Sequence, residues 1–446
     1  RLPSMNDAHS RLREAGKRIG HVVIPDLDAS LRGRRLRLDD IATTFETSGT
    51  FVNVLHKWDT AEQVTGSPPF VGEPVVLDWT SVRDWPFEQD SFIVFADYDG
   101  PSRALSPRQV LATQVARAAD AGYAVRAAME FEFHVLKETA ESLRMNGFGD
   151  PVELFAADNR CWGSQSAAIH SDYVTSLESL VCEAGIDLFS LGLELGPGCF
   201  EATLQAGDPL KAADDAVLFK TLTKAHARRQ GMTASFMAQL GASHPGLSGH
   251  VHLSLADSAT GKALFHDAAA ADAMSATMRQ AVAGVVGLTG DFTAMVAHTV
   301  NAYRRLAPGN WAPKTATWAV ENYAAAVRAL APPENQARIE FRLPGADTNP
   351  YLAIAATLGA ALHGIKRNMD LPAPITGGGP DDTPPGVPRL ARSLAEAAER
   401  LDASKAARAI FGDTFIDHFV ATRFHEDARL RRHVSAGERE RYLEVV

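Results

Sequence analysis

Residues 128–135, AMEFEFHV, alternate apolar and polar positions with a period of two. Strand side chains point to opposite faces in turn, so Glu130 and Glu132 share one face while Phe131 and Phe133 share the other. The first hundred residues carry further short β-type runs, separated by turn residues: HVVIPDL (21–27), FVNVL (51–55), EPVVLDW (73–79) and SFIVFADY (91–98). After GPS (100–102) the period changes. Residues 106–123 read as a helix, with Ser106 as N-cap, Pro107 at the first helical position and Gly122 closing it. A domain boundary is expected near 99–102, dividing the chain into 1–100 and 101–446.

Beyond that boundary, long helical patterns mix with isolated strands. Residues 171–185 and 209–231 are amphipathic and end in glycine, 349–370 read as a buried helix, and 393–412 and the tail after them as helical. HVHLSL (250–255) and ARIEFRL (337–343) alternate as strands, and ITGGGPDDTPPGVP (375–388) is a loop by its Gly and Pro content. Strands and helices do not alternate strictly, so the fold class is α+β rather than a doubly wound sheet.

Composition narrows the function. The chain has 446 residues, 46% hydrophobic and 22% charged, with a net charge of −10. That acidity argues against bulk attraction to nucleic acid or to an anionic membrane, and no apolar run approaches a membrane span. The spacing of Cys161, Cys182 and Cys199 suits neither a zinc site nor a disulfide framework, so a reducing, cytoplasmic compartment is expected. The opening stretch is polar and amphipathic, without the apolar core of a signal peptide, and does not begin with Met.

The acidic face of AMEFEFHV has company. ELGPGCFE (194–201) places Glu194 and Glu201 at the ends of a Gly/Pro loop, GHVH puts His250 and His252 on one strand face, and RIEFR does the same with Arg338, Glu340 and Arg342. Each pattern has an ordinary reading: a solvated strand face, a cross-strand salt bridge, a turn. Together they point elsewhere. Adjacent carboxylates need a bound cation or raised pKa values, oxygen donors with an occasional imidazole suit Mg²⁺ or Mn²⁺, and nearby arginines suit phosphate. The combination implies metal-assisted phosphoryl chemistry.

Taken in order, MEFEF, ELGPGCFE, FMAQLGASHPGLSGHVHLSL (236–255), NAYRRLAPGNWAP (301–313) and RIEFRLPGADTNPYL (338–352) resemble the glutamine synthetase superfamily, type I. The resemblance implies a small β-grasp-like N-terminal domain and a large catalytic domain of the glutamine synthetase/guanido kinase type. It implies two divalent ions, one on Glu132, Glu194 and Glu201, the other on Glu130, His250 and Glu340. His252 and Ser254 match nucleotide contacts, Arg328 and Arg338 match phosphate-binding arginines, and Gly246 lies beside the substrate's amino-acid end. Arg305 and Arg342 match arginines that hold the glutamate carboxylates and stabilise an acyl phosphate. ATP is the implied co-substrate, and rings of six stacked to twelve the implied assembly, with each active site between neighbouring subunits.

The departures bear on the substrate. Glutamine synthetases keep a glutamate where this chain has Trp311; that glutamate binds ammonium and accepts its proton. The N-terminal loop whose Asp completes the ammonium site has no counterpart, and Asp59 is a poor substitute. Tyr323 stands in place of a phosphate-contacting arginine, and Pro245 in place of an asparagine. These changes favour a γ-glutamyl-amine ligase like the family's polyamine, ethanolamine, alkylamine or anilide branches. The alternatives are a true glutamine synthetase using ammonia and a catalytically silent relative kept for binding or assembly.

Overall fold

The computed structural model describes residues 5–47, 49–149 and 153–444. Its strands form two sheets. The smaller, five-stranded sheet runs in the order Leu31–Arg37, Ile19–Pro25, Ser91–Tyr98, Gly72–Asp84, Thr50–Val52. Its neighbours are antiparallel except for the central pair, Ile19–Pro25 and Ser91–Tyr98, which is parallel. Strand Ser91–Tyr98 is buried along its whole length because its two faces serve two cores. Phe92, Val94, Ala96 and Tyr98 join Val22, Ile24 and Ile41 in a small core, whereas Ile93 and Phe95 enter the main one.

The larger sheet has eight strands. Trp318–Val320, Val327–Leu330, Arg338–Phe341, Gly249–Asp257, Tyr123–Leu136, Cys199–Leu204 and Leu188–Leu193 lie in that order, and Thr233–Ser235 pairs with the far end of Tyr123–Leu136. Helices Pro107–Asp120, Pro209–Arg229 and Pro350–Arg367 supply much of the apolar packing against it. Phe131 and Phe133 point into this core and meet Phe219 and Phe236. That fixes the strand's register, and with it the direction of Glu130 and Glu132.

The structure changes two of the elements read from the sequence and adds two that the reading left unassigned. The strand expected over 51–55 ends at Val52; Asn53 next to it turns its side chain onto Glu73 (2.7 Å). Leu31–Arg37, a segment the sequence reading left unassigned, is an edge strand on which Arg34, Arg35 and Arg37 are exposed. Helix Ala276–Val296 has no clean apolar stripe because it is buried on most sides. Its Gly284 crosses Gly364 of Pro350–Arg367 so closely that a Cβ would meet the Ala360 carbonyl at 2.1 Å. The helix expected over 393–412 is two, Leu394–Ala403 and Lys405–Phe411. Ser404 splits them, capping the second and donating to Asp291 (2.6 Å).

Ser106 caps helix Pro107–Asp120 as expected, accepting the Gln109 N–H. The next turn ties the two sheets together. The buried Arg108 guanidinium donates to Asp97 (2.8 Å) and Asp78 (2.6 Å) of the small sheet and, in bidentate fashion, to Asp214 (2.9 and 2.8 Å). Tyr351 closes the network through its hydroxyl on Asp214 (2.6 Å). From the other end of the chain, helix Asp413–Arg431 reaches the N-terminal region through Arg423–Asp28 (3.1 Å) and His418–His56 O (2.5 Å).

Removing one partner from a buried charge network leaves the others unpaired, at about 3–5 kcal/mol. Arg108→Ala should therefore lower the denaturant midpoint by far more than a surface Arg103→Ala control. Equal midpoints for the two variants would show that the network does not hold the sheets together.

Candidate active site

The strand registers assemble a charged band on one face of the large sheet. Glu132 stands opposite Glu201, Glu130 opposite His250, His252 opposite Glu340, and Glu340 opposite Arg328. Cross-strand neighbours on one face lie about 5 Å apart, so strand pairing alone gathers groups from five chain segments. Both imidazoles reach Glu130, His250 Nδ1 at 3.1 Å and His252 Nε2 at 3.0 Å. His250 Nδ1 also lies 3.2 Å from Glu340.

Glu194 enters from the loop after strand Leu188–Leu193. Gly196 and Gly198 take φ of +99° and +66°, which bends the loop sharply around Pro197. Asn159 pins it by donating to the carbonyls of Glu194 (2.6 Å) and Gly196 (2.8 Å). The Glu194 carboxylate accepts from Trp162 Nε1 (2.7 Å), the Leu195 N–H (2.9 Å) and Cys161 Sγ (3.4 Å).

Charge crowding shows in the protonation behaviour. Burial, then the neighbouring Glu130, Glu132 and Glu194, pushes the Glu201 carboxyl up to about 9. Burial also raises Glu132, against the pull of His250 and the Ser248 N–H. Burial acts upward on Glu130 and Glu340 too, but there the imidazoles, and for Glu340 also Arg342, outweigh it and both carboxyls are lowered.

These residues fit a hard divalent ion. Glu130, His252 and Glu340 each offer a donor atom within 4.8 Å of the others. His250 Nε2 is buried without a hydrogen-bond partner among the described residues, although His250 is only 3% exposed. Glu132, Glu194 and Glu201 supply further oxygens on the same side.

The arginines flank the carboxylates. Arg342 Nη1 donates to Glu340 (2.5 Å), and Arg328 bridges Glu340 (2.9 Å) and Glu321 (2.5 Å). The Tyr323 ring carries both guanidiniums, with Arg328 Cζ 4.0 Å and Arg342 Cζ 5.2 Å from its centroid. Arg338 donates to His252 Nδ1 (3.2 Å), and Ser254 lies two residues beyond His252 on the same strand face. Arg305 is fully buried and does not line the cavity. It donates to the carbonyls of Leu343 (2.7 Å) and Arg342 (3.2 Å) and to Ser248 (3.2 Å).

A cavity of about 630 Å³ opens onto Glu130, Glu132, Glu194, Glu201, His250 and Arg342. Gly246 lines it where a Cβ would press on Arg305 at 2.8 Å. Trp311 forms part of the wall and is 59% exposed. Its loop is anchored on both sides. Asn310 accepts the Gly246 N–H (3.0 Å) and donates to Gln239 (3.1 Å), while Asp381 accepts the Gly309 N–H (2.8 Å) and pairs with Lys314 (2.8 Å). Asp59 is committed elsewhere: it accepts the N–H groups of Ala61 and Gln63 and faces His425 and Arg429. The sequence reading missed Trp162, Cys161, Asn159 and Asn310. The only signal for the first two was a large apolar residue inside the turn-like NRCWGSQ.

Residues 104–442 match the family model "Glutamine synthetase, catalytic domain". The chain belongs to the glutamine synthetase family. It is 34% identical over 438 residues to "Type-1 glutamine synthetase 2" of Dictyostelium discoideum, covering 94% of this chain and 82% of the relative. It is 33% identical over 434 residues to "Glutamate--isopropylamine ligase" of Pseudomonas sp, covering 94% of each. A solved structure described as "Apo GmaS without ligand" superposes with a TM-score of 0.85 at 26% identity, covering 98% of this chain and 100% of the other. The family and the α+β catalytic fold expected from the motifs are thus borne out.

Two outcomes follow for metal. A carboxyl held near 9 is protonated at pH 7, and a cation must displace that proton to use the oxygen. Calorimetric Mn²⁺ binding at pH 7 should therefore release protons, seen as an enthalpy that varies with the buffer's ionisation heat and an affinity that climbs with pH. Glu132→Ala should weaken Mn²⁺ binding by at least about tenfold, because removing one of few carboxylates spoils both charge and geometry; unchanged affinity would remove Glu132 from the ligand set.

Proposed function

We propose that this protein is an ATP-dependent ligase that joins the γ-carboxylate of glutamate to an organic amine. The observation that carries the amine is Trp311, an exposed indole in the cavity wall at the position where glutamine synthetases keep a proton-accepting glutamate. The name of the Pseudomonas relative, a glutamate–isopropylamine ligase, supports the same reading.

In this reading the γ-carboxylate attacks the terminal phosphorus of ATP, the bond to the ADP oxygen breaks, and γ-glutamyl phosphate forms. A neutral amine then attacks the acyl carbon, the bond from that carbon to the phosphate oxygen breaks, and the departing phosphate takes the proton that the nitrogen gives up. Glu132, Glu194 and Glu201 would hold one Mg²⁺ or Mn²⁺, and Glu130, His250 and Glu340 a second. Such ions, when bound, neutralise phosphate oxygens. Arg342 supplies a planar, always-charged fork for the developing charge. Gly246 leaves space for the amino-acid end of glutamate, and Arg305 acts from behind it, holding Ser248 and the Arg342 backbone. His252, Ser254, Arg328 and Arg338 face the nucleotide.

The five-stranded sheet, with helix Leu38–Thr47 and a parallel central pair, supports a β-grasp-like domain over 1–100, with the catalytic domain in 101–446. Assembly into hexameric rings, stacked as dodecamers, would bring a neighbour's N-terminal domain over each cavity. Free Cys161, Cys182 and Cys199 fit a reducing cytoplasm, and no described helix is long and apolar enough to cross a membrane.

An amine must be neutral to attack, and alkyl amines, with pKa values near that of lysine at about 10.4, are mostly protonated at pH 7. An indole cannot take that proton but does provide an apolar wall. Phosphate release with glutamate, ATP and a panel of acceptors should show a higher kcat/KM for an organic amine than for ammonium. Trp311→Glu should move the ratio towards ammonium. Wild-type preference for ammonium would favour a true glutamine synthetase, and no turnover with any acceptor a silent relative.

A further inference from the structure

Trp162 lines the same cavity as Trp311 and is 77% exposed. Its φ is +52°, a left-handed conformation that costs a residue with a Cβ about 1 kcal/mol or more. Nothing in the packing requires a large apolar side chain to stand in solvent in that conformation. Two features of its surroundings give it a role. Its Nε1–H donates to Glu194 at 2.7 Å, and its ring faces the cavity next to the half-exposed Leu195.

The charges around the cavity limit what can lie against that ring. Among the described residues, the carboxylates lining it are Glu130, Glu132, Glu194 and Glu201, all assigned above to metal. A second ammonium on the acceptor would find no free carboxylate among the described lining residues and would sit near the Arg342 guanidinium. Burying an unpaired charge is costly. A tryptophan face returns only about 0.5–1 kcal/mol to a cation at an exposed site. The Tyr323 ring is already used by Arg328 and Arg342. What remains is uncharged: two indoles, Leu195, Pro245 and Cys161, together with Ser248 and Asn310, whose polar groups are already hydrogen-bonded to Arg305, Gly246 and Gln239.

We propose that Trp162 and Trp311 are the walls of the acceptor site, that they restrict the acceptor to monoamines with an apolar body, and that Trp162 also positions Glu194 through its indole N–H. The inference rests on the ligase reading and deepens it. Changing one contact of an apolar acceptor alters discrimination by about 10–200-fold, which sets the scale of the test.

Steady-state kinetics with glutamate and ATP would compare butylamine with 1,4-diaminobutane, which share a four-carbon chain and differ in the second ammonium. Wild type should prefer butylamine in kcat/KM by at least about tenfold. At saturating Mn²⁺, Trp162→Ala should raise the butylamine KM by about tenfold, leaving the KM values for glutamate and ATP nearly unchanged. Trp162→Phe should restore the butylamine KM, because the wall is back. It should still bind Mn²⁺ more weakly than wild type in calorimetry, because the N–H to Glu194 is missing. Equal or better use of the diamine overturns the restriction. A Trp162→Ala variant that shifts all three KM values alike overturns the assigned wall, and normal Mn²⁺ affinity in Trp162→Phe overturns the positioning role. Turnover that favours the diamine sinks this inference and spares the ligase; no turnover with any amine sinks both.

Discussion

The structure is organised around a charge excess that one sheet face cannot neutralise by itself. Glu130, Glu132, Glu194 and Glu201 open onto one cavity. Two like charges 4 Å apart repel by about 4 kcal/mol at an effective dielectric constant near 20. The protein answers in two ways. At the Arg328 end, Glu130 and Glu340 are matched by imidazoles and guanidiniums, so both stay ionised despite burial. At the other end burial, and then the carboxylates that act on Glu201 most strongly, keep its proton to about 9. The site is thus half compensated: the orphaned His250 Nε2 belongs to the compensated half, and the Glu201 half offers clustered oxygens that still hold a proton.

Rigidity behind that face keeps the arrangement from relaxing. Alternate residues of Tyr123–Leu136 fill the aromatic core with Phe131 and Phe133, so turning the glutamates apart would mean extracting buried phenylalanines. Each such side chain contributes roughly 1.5–3 kcal/mol by burial. The hydrophobic face therefore holds the acidic face against its own repulsion. On the flank, Arg108 ties Asp78 and Asp97 of the small sheet to Asp214 of the helix packed under the large one. The N-terminal region is thereby anchored to the scaffold that carries the site.

Much of this was legible in the sequence because strand chemistry is local. Period-two spacing places Glu130 with Glu132, His250 with His252, and Arg338 with Glu340 and Arg342, before any contact is known. Motif order then identifies the family. What was not legible comes from long-range contacts. Helix Ala276–Val296 shows no amphipathic signal because it is enclosed on most sides. The charged strand Leu31–Arg37 forms because an edge leaves its arginines in water. Trp162 joins the site by lining its cavity and by a hydrogen bond to a residue 32 positions away. Arg305 shows the limit of motif reasoning: the motif marks it as a carboxylate-holding arginine, but does not reveal its burial behind Gly246.

Tyr323 shows how a lost charge can be absorbed without dismantling a site. An arginine there would add a third guanidinium beside Arg328 and Arg342. The tyrosine instead offers a ring face to both, and a ring quadrupole attracts cations without itself carrying charge. The two remaining arginines are thus braced from below, and each is held at its end by Glu340. A tyrosine there orients two guanidiniums instead of adding a third. It also makes the cavity that Trp311 lines less cationic than an arginine would. An ammonium ion profits from nearby carboxylates, which the proposed ligase reading assigns to metal; a neutral amine needs only space and an apolar surface. The same substitutions that weaken the match to an ammonia-using enzyme therefore form a consistent set around a carbon-bearing acceptor.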